Sequence, residues 1–261
     1  MTITEREQRT EKAVAPAFRR PTWWIQVLII VGFAVAYDEV RALHGNVVAA
    51  AVRHGRDVLS VDKTLHLNWS EPMNHWLVHH EWVGNALSGY YVIMHLGMTA
   101  LMLLILWVNG SRYRYQRNVL LLLSLIGLGL YWVYPTAPPR LIGEGFHDTV
   151  ASTLPFAYTV ETASANLYAA MPSLHMAWAL WVTAAIWAIT TRWWLRVLGV
   201  LHAIVTAATV LATGNHYTAD LLAGGALTCV GYLTYELVTR LLRLRWADTG
   251  RPPALRRTAG S

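Results

Sequence analysis

The chain has little cysteine and little charge, and each shortage excludes a class of protein. Its single cysteine, Cys229, lies inside an apolar run, which excludes a disulfide framework and a cysteine-ligated metal site. Charged residues make up 14% of the 261 positions and hydrophobic residues make up 55%, a balance too apolar for an ordinary soluble domain. The composition therefore indicates an integral membrane protein.

The amino terminus also lacks the apolar core that a secretory signal requires. Residues 1–22 are polar and carry five Lys and Arg side chains, so we expect a disordered cytoplasmic tail. The formal net charge is +6, but the basic residues are not gathered on one amphipathic element. Their placement fits membrane topology, and the sequence gives no support for nucleic-acid binding.

Six apolar runs approach the ~20 residues that cross a bilayer. They are residues 23–37, 85–108, 118–134, 171–190, 197–213 and 217–242. The first run is short and is followed by Asp38 and Glu39. We expect an all-α polytopic membrane protein, with a six-helix transmembrane bundle over residues 23–242 and a flexible, basic cytoplasmic tail over residues 243–261.

The segment between the first two runs, residues 41–84, is mixed in polarity and rich in histidine and tryptophan. Tryptophan beside polar residues is typical of the lipid–water interface, so we expect short amphipathic helices there. A histidine-rich metal site is the sharper alternative, but no histidine pair shows ligand spacing on a clear helical face. We therefore expect no metal and no cofactor.

Six spans place alternate loops on alternate sides of the membrane, and the basic residues divide unequally between the sides. Of the 21 Lys and Arg, sixteen lie on the side of the amino terminus and five on the other side. The positive-inside rule then puts both termini in the cytoplasm. We expect a plasma-membrane protein whose amphipathic helices and polar loop, residues 141–170, are extracytoplasmic.

Two short polar clusters open long apolar runs, and each places a histidine where a membrane helix should begin. They are Ala-Ala-Met-Pro-Ser-Leu-His over residues 169–175 and Gly-Asn-His-Tyr-Thr-Ala-Asp over residues 214–220. Pro172 suits the first turn of a helix, where its missing N–H costs nothing. His216 and Asp220 are four residues apart, so on a helix the carboxylate holds one imidazole nitrogen and leaves the other free.

These clusters resemble the second and third motifs of the type 2 phosphatidic acid phosphatase superfamily, and Pro138-Pro139-Arg140 resembles part of its first motif. Leu174 before the histidine, with Gly-Asn-His-Tyr in the third motif, is most similar to the inositol phosphorylceramide synthase-like branch. The resemblance implies that His216 is the nucleophile that takes the phosphoryl group, that Asp220 orients it, and that His175 protonates the leaving group.

Arg140 is the candidate phosphate clamp, since a guanidinium contacts two oxygens at once. Two family cations are missing, because Val133 stands at the lysine of the first motif and Thr209-Val210 at the Ser-Arg of the third. The synthase-like branch departs from the full pattern too, so the loss favours that branch. We also expect the helix openings at Pro172 and Tyr217 to direct backbone N–H groups toward the phosphate.

The second apolar run contains three further candidate residues for a headgroup pocket. His95 lies about ten residues into the run, or ~15 Å at a helical rise, and such a residue is either functional or hydrogen-bonded to a neighbouring helix. Tyr91 and Asn85 share the run with His95. By contrast, we expect His202 in the fifth run to be structural.

Two classes of function remain open. The first is a membrane phosphatase or phosphotransferase that acts on a phosphate-linked lipid headgroup at the extracytoplasmic face through a phosphohistidine intermediate. Water or an alcohol such as inositol would accept the phosphoryl group, so the sequence leaves hydrolysis and transfer as alternatives. The second class is a catalytically inactive lipid-binding or transport protein on the same scaffold.

Overall fold

The computed structural model of the chain describes residues 21–42, 47–110, 112–153 and 167–248, with the backbone alone for residues 37–42, 95 and 246–248. The described residues form nine α-helices and no strand, which confirms the all-α class. The helices are α1 (Trp23–Ala42), α2 (Val48–Thr64), α3 (Ser70–Val78), α4 (Glu81–Asn109), α5 (Tyr113–Val133), α6 (Thr149–Thr153), α7 (Leu174–Ile189), α8 (Trp193–Ala212) and α9 (Thr218–Asp248). The predicted tails lie outside the described residues over positions 1–20 and 249–261.

Three helices, α5, α8 and α9, are each long and apolar enough to cross a bilayer. Helix α4 is a fourth candidate if its two halves, which meet at a bend of 42°, are taken as one span. The apolar part of α1, Trp23–Ala36, and the whole of α7 are shorter. The described helices therefore provide three or four candidate spans, which fits an integral membrane protein but does not confirm six.

The segment from residue 41 to 84 contains two short helices, α2 and α3, which follow from its mixed polarity. One face of α2 is buried and includes Ala51, Gly55, Val58, Leu59 and Asp62 at helical spacing. Trp69, Trp76 and Trp82 are exposed. Three of the histidines contact backbone carbonyls, with His54 Nδ1 2.7 Å from Pro135 O, His75 Nε2 3.0 Å from Gly145 O and His80 Nδ1 2.7 Å from Trp76 O. In the described ranges, no group of three or more His, Cys, Asp or Glu side chains is arranged to hold a metal ion.

Helices α7 and α9 begin later than the sequence predicts. Ser173 caps α7 by accepting a hydrogen bond from the Met176 N–H at 3.3 Å, so Pro172 precedes the helix and does not lie in its first turn. Helix α9 begins at Thr218, and His216 therefore lies in the turn before the helix rather than on it.

Helix α9 also continues past the predicted end of the last span. It ends at Asp248 rather than at residue 242 and has Arg245 in its final turn. A cation there interacts favourably with the partial negative charge of the helix carboxyl end. The first part of the predicted flexible tail is thus helical.

A buried polar junction joins α5, α7 and α9 away from the histidine motifs. The Trp181 indole N–H donates to the Gln116 backbone carbonyl at 3.0 Å, and the Tyr232 hydroxyl donates to Gln116 Oε1 at 2.7 Å. Trp181 is fully buried in the main apolar core. Because buried polar groups are costly unless they are paired, these bonds favour one relative placement of the three helices.

Candidate active site

The structure brings the two motif histidines into direct contact. His175 lies in the first turn of α7, and its Nδ1 is 3.2 Å from Nε2 of His216 in the turn before α9. The ring planes meet at 68° with centroids 5.3 Å apart. His216 is 4% exposed, so the contact lies below the protein surface.

Asp220 holds the other nitrogen of His216. Its Oδ2 is 3.2 Å from His216 Nδ1 and also accepts the Tyr217 N–H at 2.9 Å. With the carboxylate as acceptor, Nδ1 of His216 carries the hydrogen and Nε2 carries the lone pair. The His175 Nδ1–H must then be the donor in the contact between the two rings.

The environment of His216 keeps its ring neutral. Burial lowers the pKa of the imidazole, and the positive charge of Arg140 lowers it further. At neutral pH the Nε2 lone pair is therefore available, which is the state that a nucleophilic histidine requires.

Arg140 reaches the third motif from a 3-10 turn, Pro139–Leu141. Its backbone N–H donates to Gly214 O at 3.0 Å. Its Nη1 donates to Asn215 Oδ1, and its Nε lies 3.1 Å from Asp148 Oδ2. The first and third motifs are thus joined directly, and the guanidinium is buried beside the histidines.

The opening of α9 is held by an aspartate that the sequence interpretation missed. Asp62 Oδ2 accepts the Thr218 N–H at 2.8 Å, and its Oδ1 accepts the Ala219 N–H at 3.0 Å. The carboxylate is fully buried, and burial raises its pKa although the two N–H donors oppose that change. The expectation that these N–H groups point at a phosphate is wrong, because they bind an internal carboxylate.

A signal for Asp62 was present in the sequence. It stands four residues after Val58 on the otherwise apolar face of α2, and a carboxylate in such a place needs a partner inside the fold.

Asn74 was missed as well. Its Nδ2 donates to Ala212 O at 2.8 Å and to His147 O at 3.0 Å, and its Oδ1 accepts the His147 N–H at 2.8 Å. Asn74 therefore fixes the loop next to Asp148.

Of the three predicted headgroup-pocket residues, the structure brings Tyr91 to the site. Its ring stacks on His175 with centroids 4.8 Å apart and planes 26° apart. Asn85 is exposed near the amino end of α4 and is not among the residues that contact the site. The side chain of His95 lies outside the described atoms, although the helix bends there. His202 pairs with the Tyr90 hydroxyl at 2.7 Å between α4 and α8.

The two positions of the missing family cations differ in their surroundings. Val133 is 82% exposed, whereas Val210 is 1% exposed in an apolar cluster with Tyr91. The Val210 carbonyl accepts the His216 N–H at 3.1 Å, so the backbone at this position holds His216. Arg140 is thus not joined by a lysine at position 133 or an arginine at position 210.

Two apolar grooves, of about 510 and 500 Å³, lie beside the start of α9. The first lies between α2, α5 and α9 and includes Pro172 and Ala219. The second lies between α3, α7, α8 and α9 and includes Met176 and Thr218. Both grooves therefore come within a few residues of the histidine pair, from different sides of α9.

Comparisons with known proteins agree with the motif resemblance. A family model described as the PAP2 superfamily matches residues 56–234. A relative named phosphoinositol dihydroceramide synthase, from Bacteroides thetaiotaomicron, is 28% identical over 185 residues, which cover 63% of this chain and 60% of the relative. The chain thus spans about three fifths of the length of that relative. No solved structure matches the chain.

Proposed function

The chain belongs to the PAP2 superfamily, and from this premise we propose that it is a membrane enzyme that transfers a phosphate-linked lipid headgroup through a phosphohistidine on His216. One observation carries the proposal: His175, His216 and Asp220 form a continuous hydrogen-bonded row. A nucleophile, its orienting carboxylate and a second imidazole for proton transfer are the groups that this chemistry requires.

In the first step, Nε2 of His216 attacks phosphorus and forms a P–N bond. The bond from phosphorus to the leaving oxygen breaks, and His175 in its protonated form gives that oxygen a proton. In-line displacement puts phosphorus and the leaving oxygen between the two rings. The 3.2 Å contact between them must therefore open when substrate binds.

In the second step, His175 takes the proton of an acceptor hydroxyl as that oxygen attacks phosphorus. The P–N bond breaks, and His216 recovers its lone pair. Asp220 stabilises the charge on the His216 ring while the intermediate exists. Water as acceptor gives hydrolysis, and an alcohol gives transfer.

The charges around the site favour a phosphodiester over a phosphate monoester. A monoester carries about −1.5 to −2 charge at pH 7, whereas a diester carries one negative charge. Arg140 is the cation of the site, and it is already paired with Asp148. The buried carboxylates of Asp220 and Asp62 add negative charge nearby, so a second charge on the substrate would be poorly balanced.

Two features support transfer to an acceptor rather than hydrolysis. The relative is named as a synthase, and the two apolar grooves beside α9 suit the hydrocarbon chains of two lipids, a donor and an acceptor. We propose that each groove holds a hydrocarbon chain of one of the two lipids, with the phosphodiester and the acceptor hydroxyl between the histidines. An inositol acceptor stays a prediction that the same assay tests.

The proposed orientation follows from the unequal distribution of basic residues. With α1 and α7 counted as the two short spans, the bundle crosses the membrane six times, and both termini are cytoplasmic. The histidine pair then lies at the extracytoplasmic face of the plasma membrane. Cysteine labelling at the 109–117 turn and at Gly143 with a membrane-impermeant reagent tests this: only the second site should react in intact cells.

The function is tested with purified protein and two donor lipids, a headgroup-labelled phosphatidyl alcohol as the diester and phosphatidic acid as the monoester. Each donor is assayed with and without a ceramide or inositol as the acceptor. We expect transfer from the diester, little cleavage of the monoester, and a loss of at least ~10³-fold in His216→Ala. His202→Ala is the matched histidine control and should stay active. Full turnover by His216→Ala would refute the mechanism, and faster cleavage of phosphatidic acid would refute the charge argument.

An inactive scaffold predicts a different outcome. Orthovanadate resembles the five-coordinate phosphorus, so an enzyme of this kind should be inhibited by it and stabilised against heat. If the protein shows neither turnover nor a vanadate-dependent shift in its unfolding temperature, it is a lipid-binding or transport protein.

A further inference from the structure

We infer that Asp148 is a positioning residue that holds the guanidinium of Arg140 toward the phosphate. The inference rests on the proposed function and adds a residue to that site. Asp148 Oδ2 lies 3.1 Å from Arg140 Nε, where the Asp148 side chain is 20% exposed and the Arg140 side chain 8%. The pair is therefore mostly shielded from water. A charge interaction is stronger in such a place than at the surface.

The contacts of Arg140 leave part of its guanidinium for a ligand. Asp148 lies beside Nε, and Asn215 accepts a hydrogen bond from Nη1. Two of the three guanidinium nitrogens therefore contact protein side chains. A guanidinium has five N–H donors in a fixed plane, and the remaining donors include those of Nη2. Asp148 and Asn215 together determine the direction in which that edge faces.

Asp148 is itself held in place. Its Oδ1 accepts the Ala151 N–H at 3.0 Å, and the backbone of the preceding residue, His147, is bonded to Asn74 on both its N–H and its carbonyl. With Oδ1 held by Ala151, Oδ2 stays beside Nε of Arg140 and restricts the rotation of that side chain. A free arginine side chain has many rotamers, and such a partner reduces their number before substrate arrives.

The same carboxylate also brings a negative charge near the phosphate, so its two effects have opposite signs. If Asp148 acted only as a charge, its neutralisation would strengthen anion binding. If it acts by positioning Arg140, its neutralisation weakens anion binding and slows turnover. The sign of the change therefore separates the two explanations, and we expect the second.

The test uses Asp148→Asn and Asp148→Ser. Both keep an oxygen that caps Ala151, so both should fold. We expect each to lower kcat/KM and to raise the orthovanadate inhibition constant by at least about tenfold, since small misplacements of positioning groups cost that much or more. Glu144→Gln is the matched control, because Glu144 lies on the same loop in an exposed pair with Arg56 at 3.5 Å. It should stay within twofold of wild type.

A double-mutant cycle shows whether Asp148 works through Arg140. In an Arg140→Ala background, Asp148→Asn should change kcat/KM by less than about twofold. The inference would be overturned by an equal loss in both backgrounds, by tighter vanadate inhibition, or by an Asp148→Asn variant that keeps wild-type kcat/KM when Arg140 is present. Failure of the proposed function is recognised separately, because His216→Ala would then keep the wild-type activity whatever the Asp148 variants do.

Discussion

The close crossing of α7 and α9 at Gly224 allows a sharp test of the site geometry. A Cβ at Gly224 would lie 2.4 Å from the Ser173 carbonyl oxygen and 3.2 Å from the Met176 Cβ, whereas ordinary contact begins at 3.4 Å. The first contact is with backbone, which cannot rotate away. Gly224→Ala must therefore separate the two helices by about 1 Å.

That separation acts on the residues that assemble the site. The Ser173 N–H bonds to the Asp220 carbonyl at 3.0 Å, and the histidines that follow Ser173 and precede Asp220 are in direct contact. A displacement of about 1 Å in a catalytic arrangement costs ~10²-fold in rate, or ~2.7 kcal/mol of transition-state stabilisation. Overpacking costs ~1–3 kcal/mol of folding stability, of which ~1 kcal/mol is offset by the better helix propensity of alanine.

The neighbouring glycine supplies the control. A Cβ at Gly225 would lie 3.7 Å from Leu180 Cδ1, an ordinary contact, so Gly225→Ala should keep both activity and thermal stability. The assay is headgroup transfer by each purified variant at a temperature well below its unfolding midpoint. If Gly224→Ala is folded and retains activity within threefold of wild type, the two histidines do not need the close approach of α7 and α9, and the geometric reasoning fails.

Three further outcomes are expected. Asp62→Asn offers one oxygen acceptor for two N–H groups, so it should lower the free energy of unfolding by ~1–3 kcal/mol. The control Asp57→Asn, on the exposed face of α2, should change the free energy of unfolding by less than ~0.5 kcal/mol. An unchanged unfolding midpoint in both variants would contradict the role of Asp62 as a helix cap. Because the pKa of His216 is lowered on folding, the unfolded state takes up the proton first. The free energy of unfolding should then fall as pH drops below about 6.5, and it should fall less in His216→Gln; equal slopes in chemical denaturation would argue against it. Val133→Lys should leave kcat/KM within twofold, since that side chain is exposed; a large gain would show that the site lacks this cation.

Motif spacing predicted much of the site. Arg140, His175 and His216 each stand at an end of an apolar run, and alternation of the runs put those ends on one side. The structure brings the two histidines into contact and joins Arg140 to the residue before His216. The same reasoning erred at the helix starts, because it assigned Pro172 and His216 to helices that begin only at Leu174 and Thr218.

The contacts that the sequence did not predict are long-range. Asp62 is 156 residues from Thr218, and Asn74 is 138 residues from Ala212, so no local rule connects them. Asp148 was part of a loop described only as polar. The apolar run over residues 171–190 also overstated the length of its helix, since α7 has 16 residues, fewer than the ~20 of a straight crossing.

The Asp62 cap makes α2 an integral part of the catalytic unit, although α2 is too polar to enter the hydrocarbon layer. A shortened chain that began after this helix would leave two amide hydrogens at the head of α9 without acceptors, in surroundings that exclude water. The smallest autonomous enzyme must therefore start upstream of Asp62, and grafting the histidine helices alone onto another scaffold would not reproduce their alignment.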